Sequence, residues 1–369
     1  MTIPPTLMAR VKRPLATAAA AALVLPLTVA AVAPAAATTV LVDRGWPPYP
    51  GSGYQPYGYV SPYVTTSSLD TTEATAEQSA GLVTITSEVE FGAGEAAGSG
   101  IVIGSDGLVV TNHHVVEGAT SIQVTVVTTG RTYDAEVLGT NAKRDVAILQ
   151  LEDASGLTTA STDAGGVSVG EDVTAIGDAG GDGGALTAAA GTVTDTDHAI
   201  TVPDEQTGAA HRLTQLIEVD ADIIPGDSGG SLLESDGDVV GMNVAASSGS
   251  ANITGYVIPI KRVLRIGARV VAGEETASIT LGYGAFLGVS LAGTGTALAG
   301  VVDGGAASDA GLGAGDTVTS LGGTSVTTYL QLQKAVAAHD PGDSVRVTWT
   351  DSSGASHSAT VTLGRAPVA

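Results

Sequence analysis

Ser228 sits among glycines in Ile224-Pro225-Gly226-Asp227-Ser228-Gly229-Gly230-Ser231-Leu232, a tight-turn composition that runs into an apolar strand. Such a turn exposes one hydroxyl as a nucleophile while nearby backbone N–H groups face the reacting carbonyl. Glycine supplies 50 of the 369 residues, so this string taken alone also reads as an ordinary flexible turn. Its partners decide between the two. A hydroxyl is a weak nucleophile near neutral pH and needs a general base, itself oriented by a third group. Of six histidines, two adjoin in Thr111-Asn112-His113-His114-Val115-Val116. Asp145 stands at the mouth of the apolar run Val146-Ala147-Ile148-Leu149. His114, Asp145 and Ser228, at intervals of 31 and 83 residues, supply base, orienting acid and nucleophile for acyl transfer. Flanked by Lys143 and Arg144, Asp145 also has a plainer reading as a strand-start acid paired with one of them.

Ser-Gly-Ile-Val-Ile at 99 to 103, Thr-Asn-His-His-Val at 111 to 115, Asp-Val-Ala-Ile-Leu at 145 to 149 and Gly-Asp-Ser-Gly-Gly at 226 to 230 together resemble the HtrA (Deg) family of trypsin-like serine proteases. The likeness covers about residues 80 to 365. It implies a mostly β chain: a trypsin-like double β-barrel, with a His114, Asp145, Ser228 triad in the cleft, followed by a peptide-binding PDZ domain. The family commonly has asparagine where His113 stands, which leaves His114 as the base. The loop at Gly226, Asp227 and Ser228 is expected to hold the oxyanion, with the N–H groups of Gly226 and Ser228 as donors. Asp227 replaces the family's usual asparagine and matches the trypsin form, where this acid pairs with a newly cut N-terminus. No matching activation site is present, so a local bond is expected instead. Asp222, six residues before the serine, holds the position of trypsin's specificity acid. It reads either as a selector for Lys or Arg or as an acid satisfied by neighbouring groups. Asn243, Val244 and Ala245 fall on the strand expected to pair with substrate backbone.

The elements that must position these groups follow from period-2 patterning and turn residues. Residues 79 to 272 are the expected protease domain, with one barrel over 80 to 158 and a second over 165 to 259. An amphipathic helix opening at Pro259 carries Val263, Leu264, Ile266, Val270 and Val271 and ends before Gly273. A linker at 273 to 282 leads to a PDZ domain at 283 to 366. There, Phe286, Leu287, Gly288 and Val289 resemble the loop whose N–H groups capture a peptide C-terminus. A helix over about 328 to 338 walls the groove. The loop at 87 to 97 is short where some relatives carry a long regulatory one. His198, His211, His339 and His357 lie outside any matching context and read as solvated.

Arg10, Lys12 and Arg13 precede an uncharged run ending in Ala35-Ala36-Ala37, so residues 1 to 37 read as an export signal, with an uncleaved membrane anchor as the rival. Residues 38 to 78, rich in Pro, Tyr, Gly, Ser and Thr, read as a linker. The alternative is docking of its aromatics on neighbouring subunits of a homotrimer, as in trimeric relatives. The net charge of −23 argues against nucleic acid as a partner. The absence of cysteine rules out disulfides and thiolate metal sites. No cofactor or metal is expected. The resemblance thus implies an exported serine endopeptidase acting on unfolded or damaged proteins, with PDZ-bound peptide C-termini as further partners. A non-catalytic chaperone or adaptor on the same fold is the alternative.

Overall fold

The computed structural model describes residues 69–89, 91–92, 94–203, 210–246 and 254–369. The expected export signal and most of the expected linker at 38 to 78 lie outside the described residues.

Two sheets each close on themselves. In the first, Arg131–Asn141, Ala119–Val126, Leu82–Val89, Gly94–Gly104, Leu108–Thr111 and Val146–Leu151 pair in that order, and the last returns to pair with Arg131–Asn141. In the second, Thr187–Pro203, Ala210–Val219, Gly255–Pro259, Val239–Ala246, Ser231–Leu233 and Asp172–Gly177 do the same. Closure leaves neither ring with an open edge. Side-chain alternation drives it: along Ala119–Val126, Ala119, Ile122, Val124 and Val126 are buried, while Ser121 and Gln123 face out.

Val83, Ile85, Val102, Val109 and Leu149 belong to the core of the first barrel, and Val173, Val193, Ile217, Leu232 and Val257 to that of the second. Another apolar cluster joins the barrels: Leu82, Ile101 and Ile148 meet Ile176, Leu216, Met242 and Ile258. Ile260, Val263, Ile266 and Val270 of the helix Ile260–Val271 complete it. At roughly 1.5–3 kcal/mol per buried large aliphatic side chain, this seam holds the two barrels as one body. The helix differs from expectation at its ends. Pro259 precedes it, still pairing with Gly241 in the second barrel, and Val271 is exposed.

Two stretches expected to be linker are partly strand. Thr71–Glu73 pairs with Thr187, Ala188 and Ala189, and Thr280–Leu281 pairs with Thr140 and Gly139. Each satisfies backbone groups on a barrel strand that extends past its neighbour. Such pairing needs no apolar periodicity, so it left no pattern to read.

The C-terminal module is built on Thr324–Ser325, Thr317–Leu321, Ser344–Thr350 and Ser356–Thr362, in that sheet order, with Val289–Leu291 paired to Leu298–Val301. Helix Tyr329–Val336 is capped by Thr328, whose hydroxyl accepts from Gln331 N–H at 3.3 Å. Leu287, Leu298, Val318, Leu332, Val347 and Trp349 form its core. Several ties fasten it to the first barrel. Arg365 bonds Glu136 and lies over the Tyr283 ring, while Val137 N–H donates to Tyr283 Oη at 3.3 Å. Phe91, at the tip of the short 87 to 97 loop, stacks on Phe286 with centroids 5.3 Å apart. Val368 exchanges backbone bonds with Gly118 and Ala119 and is buried in the core of the first barrel.

Candidate active site

Asp145 ends a single 3₁₀ turn, Ala142–Arg144, in left-handed conformation at φ 53°, a backbone state that aspartate adopts more readily than most residues. Its carboxylate clasps His114 twice: Oδ2 lies 2.9 Å from the ring Nδ1, and Oδ1 accepts the His114 backbone N–H at 3.0 Å. Asn112 Nδ2 donates to the Asp145 carbonyl at 3.0 Å, bracing the turn. The plainer reading of Asp145 is displaced, because Arg144 turns away to Thr214 Oγ1 at 2.9 Å. Burial by itself would raise the Asp145 carboxyl. The charge and hydrogen bonds of His114, with a smaller contribution from His113, outweigh it and hold the carboxyl below its ordinary value. His113 is buried and its Nε2 meets Ala369 O at 2.9 Å, so it is held on the side of the C-terminal segment.

Ser228 comes from the second barrel, yet its backbone is fixed by the first. Ser99 N–H donates to Ser228 O at 2.8 Å. The Ser99 hydroxyl donates to Gly226 O at 3.0 Å while accepting Asp178 N–H at 2.9 Å. Ser99 O in turn accepts the hydroxyl of Thr111, three residues before His114, at 2.7 Å. One buried chain of hydrogen bonds therefore joins the strand leading to the histidine with the loop carrying the serine. Gly98 sits at the same crossing: a Cβ there would lie 2.7 Å from Val115 and 3.1 Å from Ser228 O.

Gly226 has φ +102°, and a Cβ would come within 2.0 Å of Asp178 O, so the loop shape requires glycine. Of the three backbone N–H groups of this loop, that of Asp227 donates to Ile224 O at 3.0 Å inside the turn. Those of Gly226 and Ser228 have no acceptor among the described residues. Asp227 bonds locally as expected, its Oδ2 accepting Ile224 N–H at 2.9 Å. Oδ1 is buried without a partner, and burial together with the charge of Asp178 pushes the carboxyl up to about 7, against the pull of that N–H.

The expected substrate-binding residues separate. Asp222 is half-buried and accepts the backbone N–H of Asp70 at 2.8 Å, which matches the satisfied-acid reading. Asn243 points its amide inward to Ile176 O and Ser231 O, at 3.1 and 3.2 Å, and its main chain bonds Gly229 and Gly230. It braces the serine loop. Pairing to Gly255–Pro259 skips from Asn243 to Ala245, so Val244 is the extra residue of a bulge, with its carbonyl outside the ladder. In the C-terminal module, Gly288 has φ +77°, Gly288 O accepts Val302 N–H and Leu287 O accepts Ala307 N–H, both at 2.9 Å. Phe286 ends one strand and Val289 begins the next. Among the described residues Val289–Leu291 is paired on one side only, with Leu298–Val301, leaving its other edge unpaired.

Sequence reasoning missed Ser99, Thr111 and Asp178 as parts of this site. For Ser99 the available signal was a small polar residue at the middle of its strand, just before the apolar run Ile101-Val102-Ile103. The histidines read as solvated also differ. His198 meets Glu218 at 2.7 Å and stacks on Tyr256, His357 meets Asp351 at 2.7 Å and stacks on Trp349, and His339 lies 3.5 Å from Asp343. Among the described residues no cluster of three or more His, Asp or Glu side chains is arranged to hold a metal ion.

Two closed six-stranded barrels with a histidine, aspartate and serine drawn from both define the trypsin-like class. Family comparison agrees: residues 98–242 match the trypsin-like peptidase domain, and residues 266–358 match the PDZ domain. The chain is 30% identical to the serine protease Do-like HtrA of Lactococcus lactis, over 73% of this chain and 70% of that one. It therefore belongs to the HtrA family of serine proteases. It is also 31% identical to the serine protease PepD of Mycobacterium tuberculosis and 30% identical to the periplasmic pH-dependent serine endoprotease DegQ of Escherichia coli. Those matches cover 76% and 69% of this chain, which spans 63% and 56% of the two relatives. The solved HtrA-type protease AlgW with tripeptide aligns over 78% of this chain and 95% of its own, at 25% identity and a TM-score of 0.45.

Proposed function

We propose that the protein is an exported, ATP-independent serine endopeptidase. Ser228 attacks the scissile carbonyl, His114 takes its proton and returns it to the leaving amine, and Asp145 holds the imidazole and stabilises its cation. The N–H groups of Gly226 and Ser228 receive the oxyanion. The observation that carries this reading is the double clasp of Asp145 on His114, at 2.9 and 3.0 Å, with the serine loop tied through Ser99 to Thr111 on the strand leading to that histidine. An acid spent on both the ring and the backbone of one histidine fixes tautomer and orientation together, which a simple surface ion pair does not require.

Unfolded or damaged exported proteins are the proposed substrates, and the groove of the C-terminal module is proposed to take peptide C-termini at Phe286, Leu287, Gly288 and Val289. The free edge of Val289–Leu291 supports strand addition by a peptide. Relatives named as periplasmic endoproteases support an extracytoplasmic location. The test is hydrolysis of an unfolded protein such as casein by the purified protein and by Ser228→Ala. Cleavage by the first alone is expected; cleavage by both overturns the nucleophile, and cleavage by neither, with C-terminal peptides present, leaves the chaperone or adaptor reading.

A further inference from the structure

Helix Ile260–Val271 places Arg262, Arg265 and Arg269 at three- and four-residue intervals on one face. Across from them, the turn Ala142–Arg144 presents Lys143 and Arg144. The five side chains line one cavity of about 420 Å³ together with Asn141, Ile266, Ala277 and Ser278. One third of the chain's 15 lysines and arginines thus converge on one cavity of a molecule whose net charge is −23. No carboxylate lines it. Of the acids on the surrounding segments, Glu274 pairs with Arg269 at 2.8 Å, Asp145 is engaged with His114, and Asp197 acts on Arg262 from the side of the neighbouring depression. Lys143 and Arg265 are exposed and have no anionic partner among the described residues.

This arrangement works against itself in the absence of a counter-charge. Like charges three and four apart on a helix repel. Burial, and then the positive charges of Arg144 and Arg265, hold Arg262 below the ordinary arginine value. Arg262 is nevertheless fixed in place, its guanidinium donating to Thr214 O at 2.9 Å and to Gln215 O and Oε1 at 3.0 and 3.2 Å. Asn141 in the lining is 5% exposed, with an amide oxygen that makes no hydrogen bond. Two guanidinium groups held by hydrogen bonds, Arg144 and Arg262, and two exposed cations, Lys143 and Arg265, form a cradle for an anion with several oxygens, because guanidinium forks match phosphoryl geometry.

We infer that this cavity between helix Ile260–Val271 and the 142–144 turn is a binding site for a phosphate-bearing ligand carrying more than one negative charge. The inference is independent of the hydrolytic reading. Free pyrophosphate and the headgroup of an anionic phospholipid share the chemistry. Calorimetry with pyrophosphate, and co-sedimentation with phosphatidylglycerol vesicles against pure phosphatidylcholine vesicles, separate the two sources. The comparison is between the wild-type protein, the Lys143→Gln/Arg265→Gln double variant and Arg346→Gln, a control on the C-terminal sheet. Pyrophosphate binding, weakened at least tenfold in the double variant only and falling as salt rises, is the expected result. Vesicle binding with the same variant pattern and no pyrophosphate binding supports the site and assigns it to lipid. A pyrophosphate-induced rise in the melting temperature of the wild type provides a readout free of any variant's folding. The inference is overturned if neither probe binds, if the double variant binds as well as wild type, or if only an oligoglutamate peptide binds.

Discussion

The hydroxyl of Ser228 donates its single hydrogen to the carbonyl oxygen of Val244, 2.7 Å away. That hydrogen cannot simultaneously be given to His114, so in the proposed mechanism the hydroxyl must release Val244 before its proton passes to the histidine. The Val244 carbonyl is available because it stands in a bulge on the strand where substrate backbone is proposed to pair. A peptide N–H placed on that carbonyl would compete for it and release the serine. Labelling of Ser228 by a fluorophosphonate should therefore be slow in the free protein and accelerate several-fold with a non-cleavable peptide. A rate unaffected by peptide would mean that the Val244 bond does not restrain the hydroxyl.

Asp145 makes both of its carboxylate bonds to His114, so Asp145→Asn should keep the fold and lose the tautomer control. In the worked triad of the serine proteases the corresponding change lowers kcat about 10⁴-fold, and a loss of that order is expected here. His113→Ala, by contrast, should leave kcat within about threefold of wild type, since its ring is engaged with Ala369 O. Steady-state kinetics on a short fluorogenic peptide measures both. A larger loss from His113→Ala than from Asp145→Asn would reassign the base.

Ser99 touches no reacting atom in the proposed mechanism, but it fixes Gly226 O and Ser228 O at once. Loss of a direct oxyanion donor costs roughly 10²–10³ in kcat. Ser99→Ala only loosens the donor loop, so a fall of roughly tenfold in kcat with KM unchanged is expected. Affinity for a peptide boronate that mimics the tetrahedral adduct should drop in parallel. A lowered melting temperature with unchanged kcat would make Ser99 merely structural.

Asp227 should set a pH dependence of stability. Its carboxyl lies near 3.8 when unfolded and is pushed up to about 7 in the folded protein, so the native state holds the proton more tightly. The contribution is fully present below about pH 4 and is lost as pH rises through about 7, amounting to roughly 2–4 kcal/mol. Asp227→Asn, which resembles the protonated acid, should raise the melting temperature at pH 8 and change it little at pH 4. Equal shifts at both pH values would remove Asp227 as the titrating group.

Much of this arrangement is legible in the sequence. The serine among glycines, the histidine at a strand end and the acid at a strand mouth each carry a local signature, because nucleophile turns and strand boundaries are written in neighbouring residues. The roles of Asn243 and Asp222 were not legible in the same way. Whether Asn243 faces substrate or the barrel interior depends on which side of a bulged strand it occupies, and Asp222 is answered by Asp70, 152 residues earlier. Thr71–Glu73 and Thr280–Leu281 escaped notice because two- and three-residue strands added through backbone bonds are too short to show an alternating pattern.

By itself the sequence set out the alternating runs and the three triad candidates, since period-2 burial and turn chemistry are properties of contiguous residues, and its family resemblance implied the two barrels and the trailing module. Only the tertiary structure decided that Ser99 ties the two halves of the site together, that Ser228 rests on Val244, and that five cations from two segments share one cavity. Those relationships join residues far apart in the chain, and their geometry is set by how two closed barrels and a helix pack, which no local pattern encodes.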